Sequence, residues 1–200
     1  MAQAARKLSF EEYARLDAED WVQLGLPEGR CEYGDGELVA LPSESELNDF
    51  IANFLMFMLA SSGLVPLRFL RPHSCEIEVL GKPRTRFPDL VILREEHLSL
   101  TQRRLFITLK MPPPQLVVEV ISPGKDSHKR DDTAKRQQYQ ERGIPEYWLI
   151  NPKQQTITVL QLENQEYKEF GVFQRDTLIE SPTLGVLNLT VSQVFAAEGR

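Results

Sequence analysis

The stretch from Leu116 to Ile150, LVVEVISPGKDSHKRDDTAKRQQYQERGIPEYWLI, carries the most informative pattern of the chain. Its first part, Leu116–Ile121, is nearly all apolar and largely β-branched, which is typical of a central strand buried on both faces. The pattern predicts a helix over Ser127–Arg142, which a following Gly and Pro end, and a second strand over Glu146–Ile150. A strand, a helix and a strand in so short a stretch predict a βαβ unit with parallel strands and a right-handed crossover.

The residues before this unit predict two helices and a hairpin. A short helix is expected over Ser9–Leu16, with its first serine as the cap, and Arg30–Leu41 predict a hairpin around a Gly-Asp-Gly turn. Apolar residues recur at helical spacing over Ser45–Ala60, which predicts a long helix packed deep against the sheet. Ser43 and Glu46 have the spacing of a capping box at its start.

Two more hairpins are predicted, one on each side of the βαβ unit. Ser74–Leu80 and Phe87–Leu93 are expected to pair as antiparallel strands, and Thr156–Phe173 to form a hairpin. A short last helix is expected after Ser192. We therefore predict a single α/β domain over residues 1–200, with a mixed central sheet flanked by helices and a C-terminal hairpin extension from about residue 155.

The composition is that of an ordinary soluble globular protein. Hydrophobic residues make up 42% of the 200 residues and charged residues 26%, and no apolar run approaches the roughly 20 residues that cross a bilayer. The only cysteines, Cys31 and Cys75, form no CxxC pair and predict reduced thiols in a cytoplasmic protein. The net charge of −6 argues against a protein that holds nucleic acid by bulk charge, so a nuclease would need a local basic surface.

Glu119 is the one charged residue within the predicted central strand. Every neighbour in Leu-Val-Val-Glu-Val-Ile is apolar, and an ionised carboxylate is costly there unless it is paired or bound to a metal ion. Two interpretations follow from this placement. Glu119 could be a buried acid paired with an Arg or Lys, or it could be a metal ligand near a strand end.

Asp89 is the second candidate ligand, because Pro88-Asp89 directly precedes the apolar run Leu90–Leu93. An Asp in a turn before a strand is common and needs no function. Two carboxylates on neighbouring strands of a sheet can, however, converge on one hard cation such as Mg²⁺. Such an ion polarises a phosphate and lowers the pKa of a bound water that can attack it.

Three side chains of the predicted helix share one face, because Asp131, Lys135 and Tyr139 follow each other at four-residue spacing. The simplest interpretation is a solvated ion pair on the helix surface, which stabilises the helix by about 0.5 kcal/mol or less. The alternative places Lys135 over the two carboxylates, where it would stabilise the charge that develops on a phosphate. Glu32 could supply a further carboxylate, and Asn48 could face either the site or water.

Several motifs of this chain are shared with a known family. They are Pro88-Asp89, Val118–Pro123, Asp131, Lys135, Tyr139, Gly143 and Glu146-Tyr147-Trp148, with Glu32-Tyr33 and Gly34-Asp35-Gly36 near the start. Together they resemble the Uma-two family, a large bacterial group of restriction-endonuclease-like proteins. The resemblance extends over roughly Phe10–Leu162 and is most specific between Ser122 and Trp148.

The resemblance implies a restriction-endonuclease-like fold of the PD-(D/E)XK type, in which metal-binding acids lie on two strands of a mixed sheet. On that basis Asp89 and Glu119 match the acids that hold Mg²⁺ or Mn²⁺, and Lys135 would assist catalysis. The implied activity is hydrolysis of DNA phosphodiester bonds. A homodimer is expected, because many such nucleases pair two sites to cut two strands, and Thr156–Phe173 is the expected contact surface.

The chain departs from the family pattern at two places. The lysine of the usual motif would fall at Ile121, and the lysine that family members carry on the next helix corresponds to Lys135. Near the start of the long helix many members have a His, where this chain has Leu47 and Asn48. The first departure, with the acidic net charge, leaves open a binding or regulatory module that has lost catalysis. A structural protein in which Glu119 is merely salt-bridged is a third alternative.

Overall fold

The structure of the protein is a computed structural model, which describes residues 7–122 and 127–196; of residues 127–132 it describes the backbone alone. The strands in these ranges are β1 (Cys31–Gly34), β2 (Glu37–Ala40), β3 (Leu70–Pro72), β4 (Glu76–Glu78), β5 (Thr85–Arg86), β6 (Leu90–Ile92), β7 (Phe106–Ile107), β8 (Leu116–Val120), β9 (Glu146–Asn151), β10 (Thr156–Glu163), β11 (Glu166–Gln174), β12 (Leu178–Ser181) and β13 (Gly185–Thr190). The α-helices are α1 (Phe10–Arg15), α2 (Ala18–Gln23), α3 (Glu46–Ser61), α4 (Glu95–Leu100), α5 (Ser127–Glu141) and α6 (Val191–Ala196). No helix among the described residues combines the length and the apolar character that crossing a membrane requires.

The predicted βαβ unit lies at the centre of a six-stranded sheet. Its strand order is β11-β10-β9-β8-β6-β3, so that β8 has a partner on each side. β8 and β9 are parallel and α5 connects them, whereas β6 runs antiparallel to β8. Every residue of β8 is buried, as its unbroken apolar run predicts. The predicted mixed sheet with helices packed against it is therefore confirmed.

The expected pairing of Ser74–Leu80 with Phe87–Leu93 is wrong. β4 pairs with β5 over only two residue pairs, and the chain then leaves this small sheet. Pro88 lies two residues after β5 and, because it lacks an N–H, cannot continue the ladder. β6 instead joins the six-stranded sheet between β3 and β8, while β4 takes β7 as its second neighbour. This change of sheet brings Asp89 beside β8.

The long helix α3 begins directly after Ser45, which is its cap. The side chain of Ser45 accepts a hydrogen bond from the backbone N–H of Asn48 (3.2 Å). The expected capping box of Ser43 and Glu46 is therefore wrong, because Glu46 occupies the first helical position rather than the third. Ser45 thus fixes the first turn of α3, on which Asn48 lies.

The two faces of the six-stranded sheet pack against different helices. α3 and α6 cover one face, where Leu90 and Val118 belong to the hydrophobic core. α5 covers the other face, where Tyr139 packs in a second core with Val91 and Val117. Because side chains alternate along a strand, residues two positions from Val91 and Val117 face α5.

The C-terminal hairpin is part of the main sheet. β10 pairs with β9 as well as with β11, so Thr156–Phe173 extend the sheet to its edge. A second hairpin, β12–β13, follows, and the sequence patterns do not predict it. Its buried residues Ile179, Leu187 and Leu189 join the core beside α3 and α6.

The N-terminal predictions are confirmed. α1 begins after Ser9, whose side chain caps it, and β1 and β2 form the expected hairpin. Cys31 and Cys75 are free thiols, and both are buried. Tyr13 and Phe106 belong to a third hydrophobic cluster, which holds α1 against β7.

Candidate functional site

The candidate residues meet where three neighbouring strands of the main sheet end. The ladder that joins β3, β6 and β8 stops one position short of His73, Asp89 and Glu119, so these three lie side by side in a row. The backbone N–H of His73 donates to the carbonyl of Asp89 (2.9 Å). The backbone N–H of Val120 donates to Oδ2 of Asp89 (2.6 Å). Asp89 is therefore bonded to both neighbouring chain segments.

Asp89 and Glu119 face the same side of the sheet. Asp89 lies two positions from Val91 and Glu119 two positions from Val117, and both valines pack on the face that α5 covers. The carboxylate of Asp89 is close enough to contribute to the raised pKa of Glu119. Both acids are buried, with 5% of Asp89 and 4% of Glu119 exposed. Two acids from separate strands thus lie near each other under α5.

Two side chains of α5 bind the carboxylate of Glu119. The ammonium of Lys135 donates to Oε2 (2.8 Å) and the hydroxyl of Tyr139 donates to Oε1 (2.5 Å). Burial and the charge of Glu119 raise the pKa of Tyr139 well above its usual value, so the hydroxyl stays protonated. Lys135 and Tyr139 are one helical turn apart and therefore reach the same group. Asp131, the third residue of this helix face, has a side chain outside the described residues.

The charge of Glu119 is only partly compensated. Burial raises the pKa of Glu119, the ammonium of Lys135 lowers it and the carboxylate of Asp89 raises it, so that it reaches about 7. A carboxylate whose charge was fully compensated by its partner would keep a pKa at or below its usual value. Glu119 is thus salt-bridged, but beside Asp89 rather than away from it. Among the side chains that the structure describes here, the carboxylates of Asp89 and Glu119 outnumber the ammonium of Lys135 bonded to Glu119, and carboxylate oxygens are the hard donors that Mg²⁺ and Mn²⁺ take.

Asn48 is buried at the end of β8 rather than facing water, and only 1% of it is exposed. Its Nδ2 donates to the carbonyl of Val120 (3.3 Å) and to Oγ of Ser122 (2.8 Å). Its Oδ1 is buried and accepts no hydrogen bond from any described residue. Asn48 therefore fixes the backbone that follows Glu119 and keeps one acceptor open for a donor.

Glu32, the candidate for an additional acid, is bound to a guanidinium. Both of its oxygens accept from Nη1 of Arg86 (3.2 and 3.3 Å). Nε of Arg86 in turn donates to the side chain of Gln138 on α5 (2.8 Å). These contacts connect β1 to the helix that carries Lys135, so Glu32 contributes to the position of that helix.

Two residues that the sequence patterns do not single out lie at the same end of the sheet. Glu44, His73 and Asp89 each offer one ligand atom, and these atoms lie within 4.8 Å of one another, as a metal-binding group requires. Burial lowers the pKa of His73, but the adjacent carboxylate of Asp89 outweighs it, so the pKa is raised overall. No ligand spacing in the sequence signals this group, because β3, which carries His73 to Asp89, is too short to predict.

The chain matches a known family over most of its length. The family model, described as "Uma2: Putative restriction endonuclease", matches residues 10–192. The resemblance expected from Pro88-Asp89 and from the segment Ser122–Trp148 is thereby confirmed. No curated protein matches the chain.

The fold is similar to that of a solved structure. This is a protein of Anabaena variabilis described as "a putative nuclease belonging to DUF820". The TM-score is 0.61 at 19% sequence identity, and the match covers 90% of this chain and 98% of that chain. At this identity the similarity concerns the fold alone, and it confirms the restriction-endonuclease-like class.

Proposed function

The chain belongs to the Uma2 family, and we propose that it is a metal-dependent endonuclease that hydrolyses phosphodiester bonds in DNA. One observation carries the proposal: two buried acids, Asp89 and Glu119, lie on neighbouring strands and face the same side of the sheet. The description of the family supports a nuclease. That description also supports DNA as the substrate, and two acids able to hold a metal ion suit the hydrolysis of a phosphate ester.

Asp89 and Glu119 would hold Mg²⁺ or Mn²⁺ in this proposal. Their oxygens are hard ligands, and their combined charge exceeds that of Lys135, the ammonium bonded to Glu119. Such an ion, when bound, polarises a phosphate and lowers the pKa of a bound water. The hydrogen bond from Val120 to Asp89 fixes one of the two carboxylates in advance.

The surrounding side chains would orient the acids and balance charge. Tyr139 donates to Oε1 of Glu119 and so fixes the second carboxylate. Lys135 carries its positive charge to the same acid, where it would stabilise the negative charge that increases on a phosphate during hydrolysis. In this proposal Lys135 replaces the lysine that is missing at Ile121, whose backbone N–H donates to Ile150 in the sheet.

A homodimer paired through the C-terminal hairpin Thr156–Phe173 is also part of the proposal. β11 stands at the end of the strand order of the six-stranded sheet. Phe170 and Val172 on this strand are 43% and 48% exposed. An edge strand with exposed apolar side chains favours association with another chain, and two sites brought together in this way could cut both strands of a duplex.

The alternative function is a binding or regulatory module that keeps the fold without catalysis. The apolar Ile121 at the usual lysine position favours it, as does the net charge of −6. Both functions allow the chain to contact DNA or a metal ion. Only the enzyme breaks a phosphodiester bond, so cleavage separates them.

Cleavage assays on matched variants test the proposal. The purified chain is incubated with Mg²⁺ or Mn²⁺ and with supercoiled, linear duplex or single-stranded DNA. We expect the wild type to cleave and Asp89→Asn and Glu119→Gln each to lose activity by about 100-fold or more. Glu166→Gln is the matched control, because Glu166 bonds to Lys168 at the same 2.8 Å but on an exposed hairpin.

Two results would overturn the proposal. One is a wild-type chain that cleaves none of these DNA forms with either metal ion. The other is cleavage that persists at the wild-type rate in both Asp89→Asn and Glu119→Gln. A chain that binds metal at Asp89 and Glu119 but never cleaves would support the binding module.

A further inference from the structure

A second cluster of potential ligands lies on the side of Asp89 that faces away from Glu119. We propose that Glu44, His73 and Asp89 form a separate binding site for a divalent transition-metal cation of which Zn²⁺ is representative. The inference goes beyond the proposed function, because this site requires neither Glu119 nor any activity on DNA.

Three separate segments of the chain bring these ligands together. Glu44 lies shortly before α3, His73 directly after β3 and Asp89 directly before β6, with their ligand atoms within 4.8 Å of one another. Nδ1 of His73 and Oδ1 of Asp89 are 3.5 Å apart. Two ligands bonded at about 2.1 Å to one tetrahedral Zn²⁺ are separated by about 3.4 Å. These two atoms therefore already have the spacing of a ligand pair.

The ring of His73 lacks the hydrogen bonds that a buried imidazole normally makes. Both of its nitrogens are buried, and neither has a hydrogen-bond partner among the described residues. His97 shows the ordinary case: its Nδ1 accepts from the N–H of Arg94 (3.0 Å), and its Nε2 is 2.9 Å from the carbonyl of Pro112. Each nitrogen of His73 instead faces a carboxylate oxygen at 3.5 Å, that of Asp49 or Asp89, which is longer than an ordinary hydrogen bond. A cation between Nδ1 and Asp89 would give the buried nitrogen the close partner that it lacks.

Neighbouring charges would orient the ligands. A metal-binding histidine usually directs its second nitrogen at a carboxylate or carbonyl. Oδ1 of Asp49 is 3.5 Å from Nε2 of His73, which leaves Nδ1 for the cation. Arg30 donates to Oε1 of Glu44 (2.7 Å) and so restrains that carboxylate. Glu44 pairs with this guanidinium, whereas Asp49 and Asp89 lie beside the ring of His73. The three carboxylates outnumber the one guanidinium, so a cation would balance the local charge.

The imidazole determines which cation this site selects. Mg²⁺ and Ca²⁺ favour oxygen ligands, whereas Zn²⁺ takes imidazole nitrogen together with carboxylate oxygen. Three protein ligands would leave a fourth position of a tetrahedral ion for water. Asp89 and Glu119 offer only oxygens, so the site at His73 is expected to prefer Zn²⁺ and the pair with Glu119 to prefer Mg²⁺.

Calorimetric titration of the metal-free full chain with Zn²⁺ tests the inference. His73→Asn is the informative variant, because His73 has a φ of 48° and Asn tolerates this conformation. Glu44→Gln is a second variant that leaves β3 unchanged. We expect each to weaken Zn²⁺ binding about tenfold or more. Glu119→Gln should leave Zn²⁺ binding unchanged while it weakens Mg²⁺ binding.

Imidazole ¹⁵N spectra identify the residue that binds. The signals that disappear in His73→Asn belong to His73, and they are expected to shift when Zn²⁺ is added. Those of His97, whose nitrogens are already bonded, should stay in place. No Zn²⁺ binding by the wild type, unchanged binding by His73→Asn, or fixed His73 signals at saturating Zn²⁺ would each overturn the inference. A chain that binds Zn²⁺ through His73 but cleaves no DNA would refute the nuclease proposal alone.

Discussion

Replacing Glu119 by Gln should change how the stability of the metal-free protein depends on pH. Burial raises the pKa of Glu119 from 4.5 to about 7, so the folded chain keeps a proton that the unfolded chain loses between these values. Protonated Glu119 makes its full contribution to the free energy of unfolding below pH 4.5. This contribution declines as the pH rises from 4.5 to 7, and it stays constant above pH 7. At about 1.4 kcal/mol per pH unit, the loss amounts to about 3 kcal/mol.

The substitution removes this titration and conserves the shape of the side chain. The carbonyl of Gln can still accept from Tyr139, and Lys135, whose side chain is 20% exposed, can turn its ammonium to water. Urea unfolding with a chelator present, followed by fluorescence of the buried Trp148, measures the free energy of unfolding at each pH. The wild-type value minus the variant's should fall by about 3 kcal/mol from pH 4.5 to 7 and then stay constant.

Glu166→Gln serves as the control in the same experiment. The hydrogen bond with Lys168 lowers the pKa of this exposed acid, so its effect on stability lies below pH 4.5 and outside the measured window. Wild type and control should therefore give parallel curves. A difference between wild type and Glu119→Gln that is constant from pH 4.5 to 8 would refute the conclusion that the charge of Glu119 is only partly compensated.

Three further substitutions test single contacts. Lys135→Met should lower metal-dependent DNA cleavage by about 100-fold or more, whereas Lys168→Met on the exposed hairpin should leave it unchanged. Tyr139→Phe should lower the free energy of unfolding in urea at pH 8 by about 1–3 kcal/mol, because buried Glu119 loses a hydrogen bond. Val172→Lys on β11 should convert a dimer to a monomer in gel filtration with light scattering, because it charges the proposed contact.

A specific result would contradict each of these three expectations. Equal cleavage by Lys135→Met and Lys168→Met would show that the ammonium at Glu119 does not assist hydrolysis. Unchanged stability of Tyr139→Phe would show that its hydroxyl does not hold the carboxylate. A wild-type monomer, or a Val172→Lys variant that remains dimeric, would exclude an interface at β11.

The centre of the fold could be predicted because its signals are local. A strand buried on both faces needs an unbroken apolar run, and that run makes Glu119 conspicuous within β8. Four-residue spacing places Lys135 and Tyr139 on one helix face, and both bind Glu119. Lys135 could form a solvated ion pair or lie over the two carboxylates. The choice between these interpretations depends on what α5 packs against, which the spacing alone does not reveal.

The failures arise where pairing is decided by distant residues. The pattern of Phe87–Leu93 predicts a strand that pairs with Ser74–Leu80. Pro88 interrupts that pairing, and the strand instead takes a buried position beside β8. β3 and β12 are too short or too irregular to carry a period that reveals them. His73 and Glu44 reach Asp89 only through such elements, so the metal-binding group that they form has no sequence signature.

A crystal structure of the protein grown with Mn²⁺ shows whether Asp89 and Glu119 hold one ion, because anomalous scattering locates the ion independently of the protein atoms. We expect an ion bonded at about 2.1–2.3 Å to an oxygen of Asp89 and to an oxygen of Glu119. Crystals in which no ion lies between Asp89 and Glu119, whether or not an ion is bound at His73 and Glu44, would contradict it.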